Sequence, residues 1–513
     1  MADAHAATRA RVNREIWLLV ALTLGVCLAI RLTYVAQYAR TLPFLWGPVG
    51  DSIIYLEQAA HVLSGEHGDA TLLAFSPLYG YALALLGAPV DLVAVAVLQL
   101  LSGVLIAGIL FATVYRVGGN NGDGRAALIT ALMFSLYGGA LFFESKVLSD
   151  SLGLLLAVCV QALFLLPQFR KGNVGLCLLS GALLALAVLA RASLIFSAPL
   201  FVLAALFPFT FSAQQLRIRA KRSVLMAVGI MLIFVGHGLW TQHHAGVFVP
   251  VILPSQTLEA SESTTWTGDL HQLSGGDHLA HPYGVVLSAR DYLAKREADP
   301  ETPRPRASID VLAWFRGLPH KLPGTFSNTE RTFQYGYLGE RSAVPLLRLL
   351  PVSFGVVLVL GLLGAWASLR DKSPWSLVPM LPLFLGAIAC TTLYHPSTRY
   401  RLGMVIPLLL LAGPGLSWLW RTRREQGHRL LLAVVVASTL IAAGHNYSTK
   451  MGNPALWELE LATSSYYAGD DKASFAHLSA AEAAAPNNPV VKARVDAGRQ
   501  LLEARGKTRP RSP

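Results

Sequence analysis

The chain has 513 residues, 53% of them apolar and only 14% charged, against about 25% charged in soluble domains; so little polar surface excludes a soluble fold for most of its length. The formal charge of +12 comes largely from Lys and Arg in short stretches between apolar blocks, a membrane-orientation pattern. No basic stripe with interleaved aromatics points to nucleic acid.

The apolar residues fall in blocks of roughly 18–22 residues, enough to cross a hydrocarbon core of about 30 Å as helix. Blocks near 16–36, 92–115, 126–143, 151–167, 174–190, 194–211, 223–241, 351–369, 376–394, 403–420 and 430–446 predict an all-α polytopic membrane protein with about eleven spans. Cys27, Cys159, Cys177 and Cys390 all lie inside these blocks, which argues against disulfides and zinc. The first block follows Arg9, Arg11 and Arg14 and ends at Arg31 and Tyr34 with no small-residue cleavage site; it reads as a retained span. One alternating set of loops carries roughly seventeen Lys and Arg, the opposite set five (Arg40, Lys146, Arg191, Arg399 and Arg401). The richer set is therefore expected in the cytoplasm with the amino terminus, and the carboxyl terminus outside.

Two long segments, 37–91 and 242–350, then lie on the outer side. In the first, helical periodicity at 51–64 and 78–86 predicts short interfacial helices. Asp51 follows Trp46-Gly47-Pro48-Val49-Gly50, and its position suits a helix N-cap without excluding a second role. Glu144, Lys146 and Asp150 share a tight loop at the membrane surface. The two carboxylates suit a divalent cation such as Mg or Mn, are neutralised by the lysine, or form a solvated turn. Arg191 is bracketed by apolar runs and needs a partner or must snorkel. The segment 242–350 is polar with several Pro and Gly and predicts a small cap. His395-Pro-Ser-Thr-Arg399-Tyr400-Arg401 stands between two spans. Its arginines suit bidentate phosphate binding at headgroup depth or simply anchor a helix end.

The chain divides into a membrane domain at 1–447 and a helical tail at 448–513. Leu459, Ala462, Tyr466 and Tyr467 share one helical face; Gly469-Asp470-Asp471 turns; Ala473, Phe475, Ala476, Leu478 and Ala481 make a second face, and Pro486-Asn-Asn-Pro489 stops it. This hairpin is similar to one tetratricopeptide repeat or is a plain helical hairpin. A lone repeat cannot bury its own face, so it must dock on the outer loop or on a protein partner.

In this order the motifs resemble the GT-C glycosyltransferases, in particular the family-39 type with the protein mannosyltransferases and aminoarabinose transferases. The resemblance rests on Asp51 with Tyr55 and Ala59; on Phe75-Ser-Pro-Leu-Tyr79, similar to a Pro-Pro-Leu-Tyr segment; on Glu144 to Asp150; on Arg191; and on Arg399-Tyr-Arg-Leu402, similar to Arg-Tyr-Arg-Leu-Pro. It covers roughly 10–445. Ser52 and Gly403 depart from it, which counts against the protein-mannosylating branch. The tail and the segment Phe326-Ser-Asn-Thr-Glu330 look like bacterial members with a tetratricopeptide tail. The resemblance implies an enzyme of the cell (inner) membrane that moves a sugar from a polyprenyl-phosphate carrier to a glycan, lipid or protein hydroxyl on the periplasmic face, with inversion. It implies Asp51 as general base; Arg191, Lys146, His395, Arg399 and Arg401 on the donor phosphate; Tyr55, Tyr79, Glu330 and Tyr400 on substrate; and Glu144 and Asp150 on a cation or the acceptor. Competing readings are a transporter or lipid flippase, which would place paired ionisable groups at mid-membrane, and a non-catalytic assembly scaffold built on the tail.

Overall fold

The computed structural model describes residues 2–87, 90–118, 123–207, 216–252, 281–303, 311–330, 332, 335–370, 377–394, 396–423, 428–448 and 454–508. Among these the chain is helical, with an isolated bridge between Tyr137 and Val352 as its only extended pairing. Five helices are long and apolar enough to cross a membrane, and six shorter apolar helices match the remaining expected blocks. The protein is a polytopic, all-helical membrane protein.

In chain order the first helices are α1 (Ala2–Thr41), α2 (Asp51–Ser64), α3 (Ala70–Ala74), α4 (Pro77–Ala84) and α5 (Leu92–Val117). Helix α1 runs well past Arg31, where the first block seemed to end. Asp91 starts α5 by accepting from the amides of Val93 and Ala94, satisfying donors that a helix start leaves open.

The expected span 126–143 is two helices, α6 (Gly124–Ser135) and α7 (Gly138–Glu144). Tyr137 interrupts it in an extended conformation and spends its hydroxyl on Glu330, at 3.1 Å. Next come α8 (Asp150–Leu165), α9 (Pro167–Arg170), α10 (Val174–Ala190), α11 (Ala198–Leu206) and α12 (Leu216–Ala245). Arg191, at φ −149° and ψ 98°, ends α10, and a 3-10 turn (Ala192–Ser197) leads into α11. Helices α10 and α12 touch through Gly181 and Gly229: a side chain at either would meet the backbone of the other helix. Small residues permit this close packing, which takes over where lipid removes the hydrophobic drive between helices.

The expected cap contains α13 (His281–Ala298), α14 (Val311–Phe326), α15 (Tyr337–Ala343) and α16 (Pro345–Leu349), while 253–280 lies outside the described residues. The last apolar helices are α17 (Phe354–Arg370), α18 (Leu381–Leu393), α19 (Thr398–Thr422) and α20 (His428–Ser448). Pro379 and Pro382 fall in the first turns of the 3-10 turn before α18 and of α18 itself, where proline forfeits no helical bond. Helix α19 is the axis of the bundle: 89% of its apolar window is buried, against 11% for the window in α20. Gly364 and Gly415 let α17 meet it, and Gly413 lets α6 meet it.

The tail holds three helices, α21 (Pro454–Tyr467), α22 (Asp471–Ala484) and α23 (Pro489–Thr508), around Ala455, Leu459, Ala462, Leu478, Ala481, Val491 and Val495. The expected hairpin does not include α23. The Pro-Asn-Asn-Pro stop of α22 is also a start signal, since Asn488 accepts from the amides of Val490 and Val491 and Pro489 fits a first turn. Phe475 and Tyr467, expected on inner faces, are about half exposed.

Candidate active site

Four separate pieces of chain meet at one end of the bundle. Gly50, at φ +60°, turns the loop so that Asp51 becomes the first residue of α2. Asp51 is therefore not the cap, and its carboxylate faces Arg399 instead. Asp150 opens α8, Arg191 closes α10, and Ser397 starts α19 by accepting from the Arg399 amide.

Arg399 bridges both acids. Its Nη1 donates to Asp51 Oδ2, and its Nε donates to Asp150 Oδ2 at 2.7 Å. Arg191 stands behind. Its Nη1 lies 2.8 Å from Asp150 Oδ1, its Nη2 donates to the Arg399 carbonyl, and its Nε donates to Ser193 Oγ at 3.0 Å. Gly153 makes this approach possible, because a Cβ there would lie 2.7 Å from the Cβ of Arg191. Ser76, from the Phe-Ser-Pro-Leu-Tyr segment, accepts from the Ala192 amide at 3.1 Å and ties that loop to Arg191.

Two acids and two guanidinium groups thus balance in charge. Their side-chain exposures divide the roles: 1% for Asp150 and 6% for Arg191, but 12% for Asp51 and 20% for Arg399. Asp51 and Arg399 are thus the more exposed pair, with Asp150 and Arg191 buried behind them. Tyr55 and Tyr79 pack edge to face beside them, with ring centroids 4.9 Å apart. The Tyr55 hydroxyl is 2.9 Å from Ser149 Oγ, and Tyr79 donates to Gln99 Oε1 at 2.8 Å. Burial pushes both phenols up, so they remain neutral. Tyr400 follows Arg399 and is half-buried, its ring 5.8 Å from that of Tyr394.

Other expected residues lie elsewhere. Arg401, two positions along the helix from Arg399, leaves α19 on the opposite side. It is enclosed, donating to Glu330 at 2.8 Å and to the carbonyls of Thr329 and Ser327, with its guanidinium over Phe354. Glu330 also accepts from Tyr137 and Thr398, so it faces no open space. Lys146 is wholly buried, 2.7 Å from Glu340 Oε2 and 3.6 Å from the centroid of the Phe142 ring. Burial lowers its pKa to about 8 against the opposing pull of Glu340. Arg401, Glu330 and Lys146 are thus each engaged by buried protein partners, apart from the Asp51–Arg399 pair. His395 lies outside the described residues.

Glu144 and Asp150 do not share a cation site. Glu144 pairs at 2.7 Å with Arg31 of α1, and Asp150 pairs with the two site arginines. Each already has a cationic partner, and among the described residues no group of three or more His, Cys, Asp or Glu could hold a metal ion. The residues do not fit a cation between them. Arg31 and Glu340 were missed by sequence reasoning. The signal for Arg31 was present, since an arginine inside an apolar helix must be paired.

The solved structures to which the chain is similar include these three. Two are of the Archaeoglobus fulgidus oligosaccharyltransferase: one tethered with an acceptor peptide containing the NVT sequon via a disulfide bond (14% identity, TM-score 0.45, covering 86% of this chain and 57% of that one), the other in complex with Zn and sulfate (14%, 0.45, 86% and 55%). The third is ArnT from Cupriavidus metallidurans bound to undecaprenyl phosphate (14%, 0.40, 95% and 75%). The chain spans a little over half the length of the oligosaccharyltransferase chains. No family model and no curated protein sequence matches it.

Proposed function

We propose that the chain is a GT-C-type glycosyltransferase of the cell (inner) membrane that moves a sugar from a polyprenyl-phosphate carrier to an acceptor hydroxyl on the periplasmic face, with the amino terminus cytoplasmic and the tail periplasmic. The observation that carries this reading is the solvent-reaching pair Asp51–Arg399, backed by Asp150 and Arg191. It sets a carboxylate able to accept a proton next to a guanidinium able to take an anion. The order of motifs along the chain supports the same reading.

In this reading the donor phosphate takes the exposed edge of Arg399 and competes with Asp51 for it, which frees the carboxylate. Asp51 accepts the acceptor's hydroxyl proton as its oxygen bonds to the anomeric carbon. The bond from that carbon to the phosphate oxygen breaks, and the electron pair leaves with the phosphate. Arg399 compensates the growing charge, held in place by Asp150 and, through its carbonyl, by Arg191. Displacement from the face opposite the phosphate inverts the anomeric centre.

The test is Asp51→Asn in the full-length protein, with labelled undecaprenyl-phosphate hexoses and pentoses as donors and an envelope extract as acceptor. The expected result is transfer by the wild-type chain and a loss of about 10²–10⁴-fold in the variant. A variant as active as wild type removes Asp51 from the chemistry. No glycosylated product from either protein returns the reading to a transporter or a scaffold.

A further inference from the structure

Tyr335 is the only described non-glycine residue with positive φ, at 60°. A side chain of this size rarely adopts that conformation, so something must hold it there. Two groups do so. Thr332 Oγ1 donates to the Tyr335 carbonyl at 2.8 Å and accepts from the Tyr337 amide at 3.1 Å. From the tail, Glu460 Oε2 accepts from the Gly336 amide at 2.8 Å.

The conformation sends the Tyr335 ring under the loop before Asp51. Its buried hydroxyl accepts from the Val49 amide at 3.1 Å and lies 2.6 Å from Ser52 Oγ. Val49 and Ser52 flank the Gly50-Asp51 turn, so one phenol holds both sides of it. The tail grips the start of the same loop. Ser464 donates to the Gly47 carbonyl at 2.6 Å, and Trp457 packs edge-on to Phe44, which packs edge-on to Tyr335. Gly47 and Gly339 are bare where the tail presses, since a Cβ at the first would meet the α21 backbone and at the second the Trp457 ring.

We propose that the C-terminal tail is a working part of the site, with Glu460 and Tyr335 as positioning residues that set the direction of the Asp51 carboxylate through the Val49–Ser52 turn. The tail then acts on turnover without touching substrate. This rests on the reading of Asp51 as the general base, but the mechanical link can be measured without it.

The experiment uses full-length protein in lipid nanodiscs with Glu460→Ala, Glu460→Gln and Tyr335→Phe. Hydrogen exchange is followed over 47–58 and over 404–419 in α19, and turnover is followed with labelled undecaprenyl-phosphate sugars. Glu460→Ala and Tyr335→Phe are expected to speed exchange in 47–58 and leave 404–419 unchanged. Both should lower kcat by about ten- to a hundredfold, the cost of a small misplacement, with the donor KM within about twofold because Arg399 and Arg191 are untouched. Glu460→Gln keeps an acceptor for Gly336 and should restore both readouts.

Unchanged exchange in 47–58 overturns the proposal, and so does a rise equally large in 404–419, which would mean general loosening. Faster exchange in 47–58 with full turnover also overturns it. If the wild-type chain transfers no sugar, the transferase reading falls, while the exchange measurement still decides whether the tail holds the turn.

Discussion

Asp51 and Arg399 are 348 positions apart in the chain and meet as an ion pair at the only part of the four-residue network with appreciable access to solvent. Each side chain is aimed by its own helix start: Gly50 turns the chain into α2, and Ser397 caps α19. The pairing therefore depends on how those two helices are placed. The proposed chemistry also needs Arg399 to serve Asp51 and Asp150 at once, which a planar fork of donors can do and a single ammonium cannot.

Arg399→Lys keeps the charge and removes the fork. The lysine can face one acid or an incoming phosphate but cannot span both. We expect kcat/KM for a polyprenyl-phosphate donor to fall about a hundredfold, the scale of losing one preorganised donor, with melting little changed. Steady-state kinetics beside a thermal melt in detergent checks this; unaltered kinetics would remove the bridging role.

Gly153→Val tests the supporting pair. A side chain at this position collides with Arg191 at its Cβ, and packed helices accommodate such an intrusion at about 1–3 kcal/mol. Arg191 should move off Asp150 and release the Arg399 carbonyl. The expected signature is a raised donor KM with a smaller effect on kcat, measured as donor saturation curves. Gly175→Val, where an added Cβ meets only Asn173 Oδ1 at 3.6 Å, is the control and should bind donor as wild type does.

Much of this arrangement is legible in the amino-acid sequence. Each expected apolar block holds apolar helix in the described residues, although 126–143 is broken in two and 194–211 opens with a 3-10 turn, because length and hydropathy are local properties. Asp51, Asp150, Arg191 and Arg399 stand out because charges beside long apolar runs demand partners. What the sequence does not carry is who pairs with whom. Lys146 and Glu340 are 194 positions apart, and Arg401 and Glu330 are 71 apart; no periodicity encodes such distances. Tyr137 bonds Glu330 across 193 positions, whereas the break in the apolar block beside it has a local signal in the Gly138-Gly139 pair. The tail's docking is expected in kind, but its seat on Gly47 and Gly339 depends on two missing side chains whose neighbours only the fold reveals.

Lys146→Ala leaves Glu340 with Tyr34 as its remaining side-chain partner, inside a pocket with no exposure. Removing one member of a buried pair costs about 3–5 kcal/mol, mostly for the stranded charge. Melting temperature should drop markedly. The double change Lys146→Met with Glu340→Gln should recover most of it, since it strands no charge. A single variant as stable as wild type would contradict the burial of this pair.

The joint between tail and loop should respond to pH near neutrality. Glu460 is pushed up to about 7, first by burial, which outweighs the Gly336 and Tyr335 amides and the charges of Arg494 and Lys146 that favour its ionised form. With the tail undocked, Glu460 returns toward its ordinary 4.5, so docking takes up a proton between these values. Its contribution is complete below about 4.5 and is lost as pH rises through about 7. Exchange of the 47–58 amides should therefore quicken from pH 6 to pH 8 beyond the intrinsic base-catalysed rise, and tryptophan emission, sensitive to Trp457 at the joint, should shift over the same interval. Glu460→Gln carries no titrating proton and should flatten both responses while keeping the tail docked. An identical pH response in that variant would assign the titration to another group.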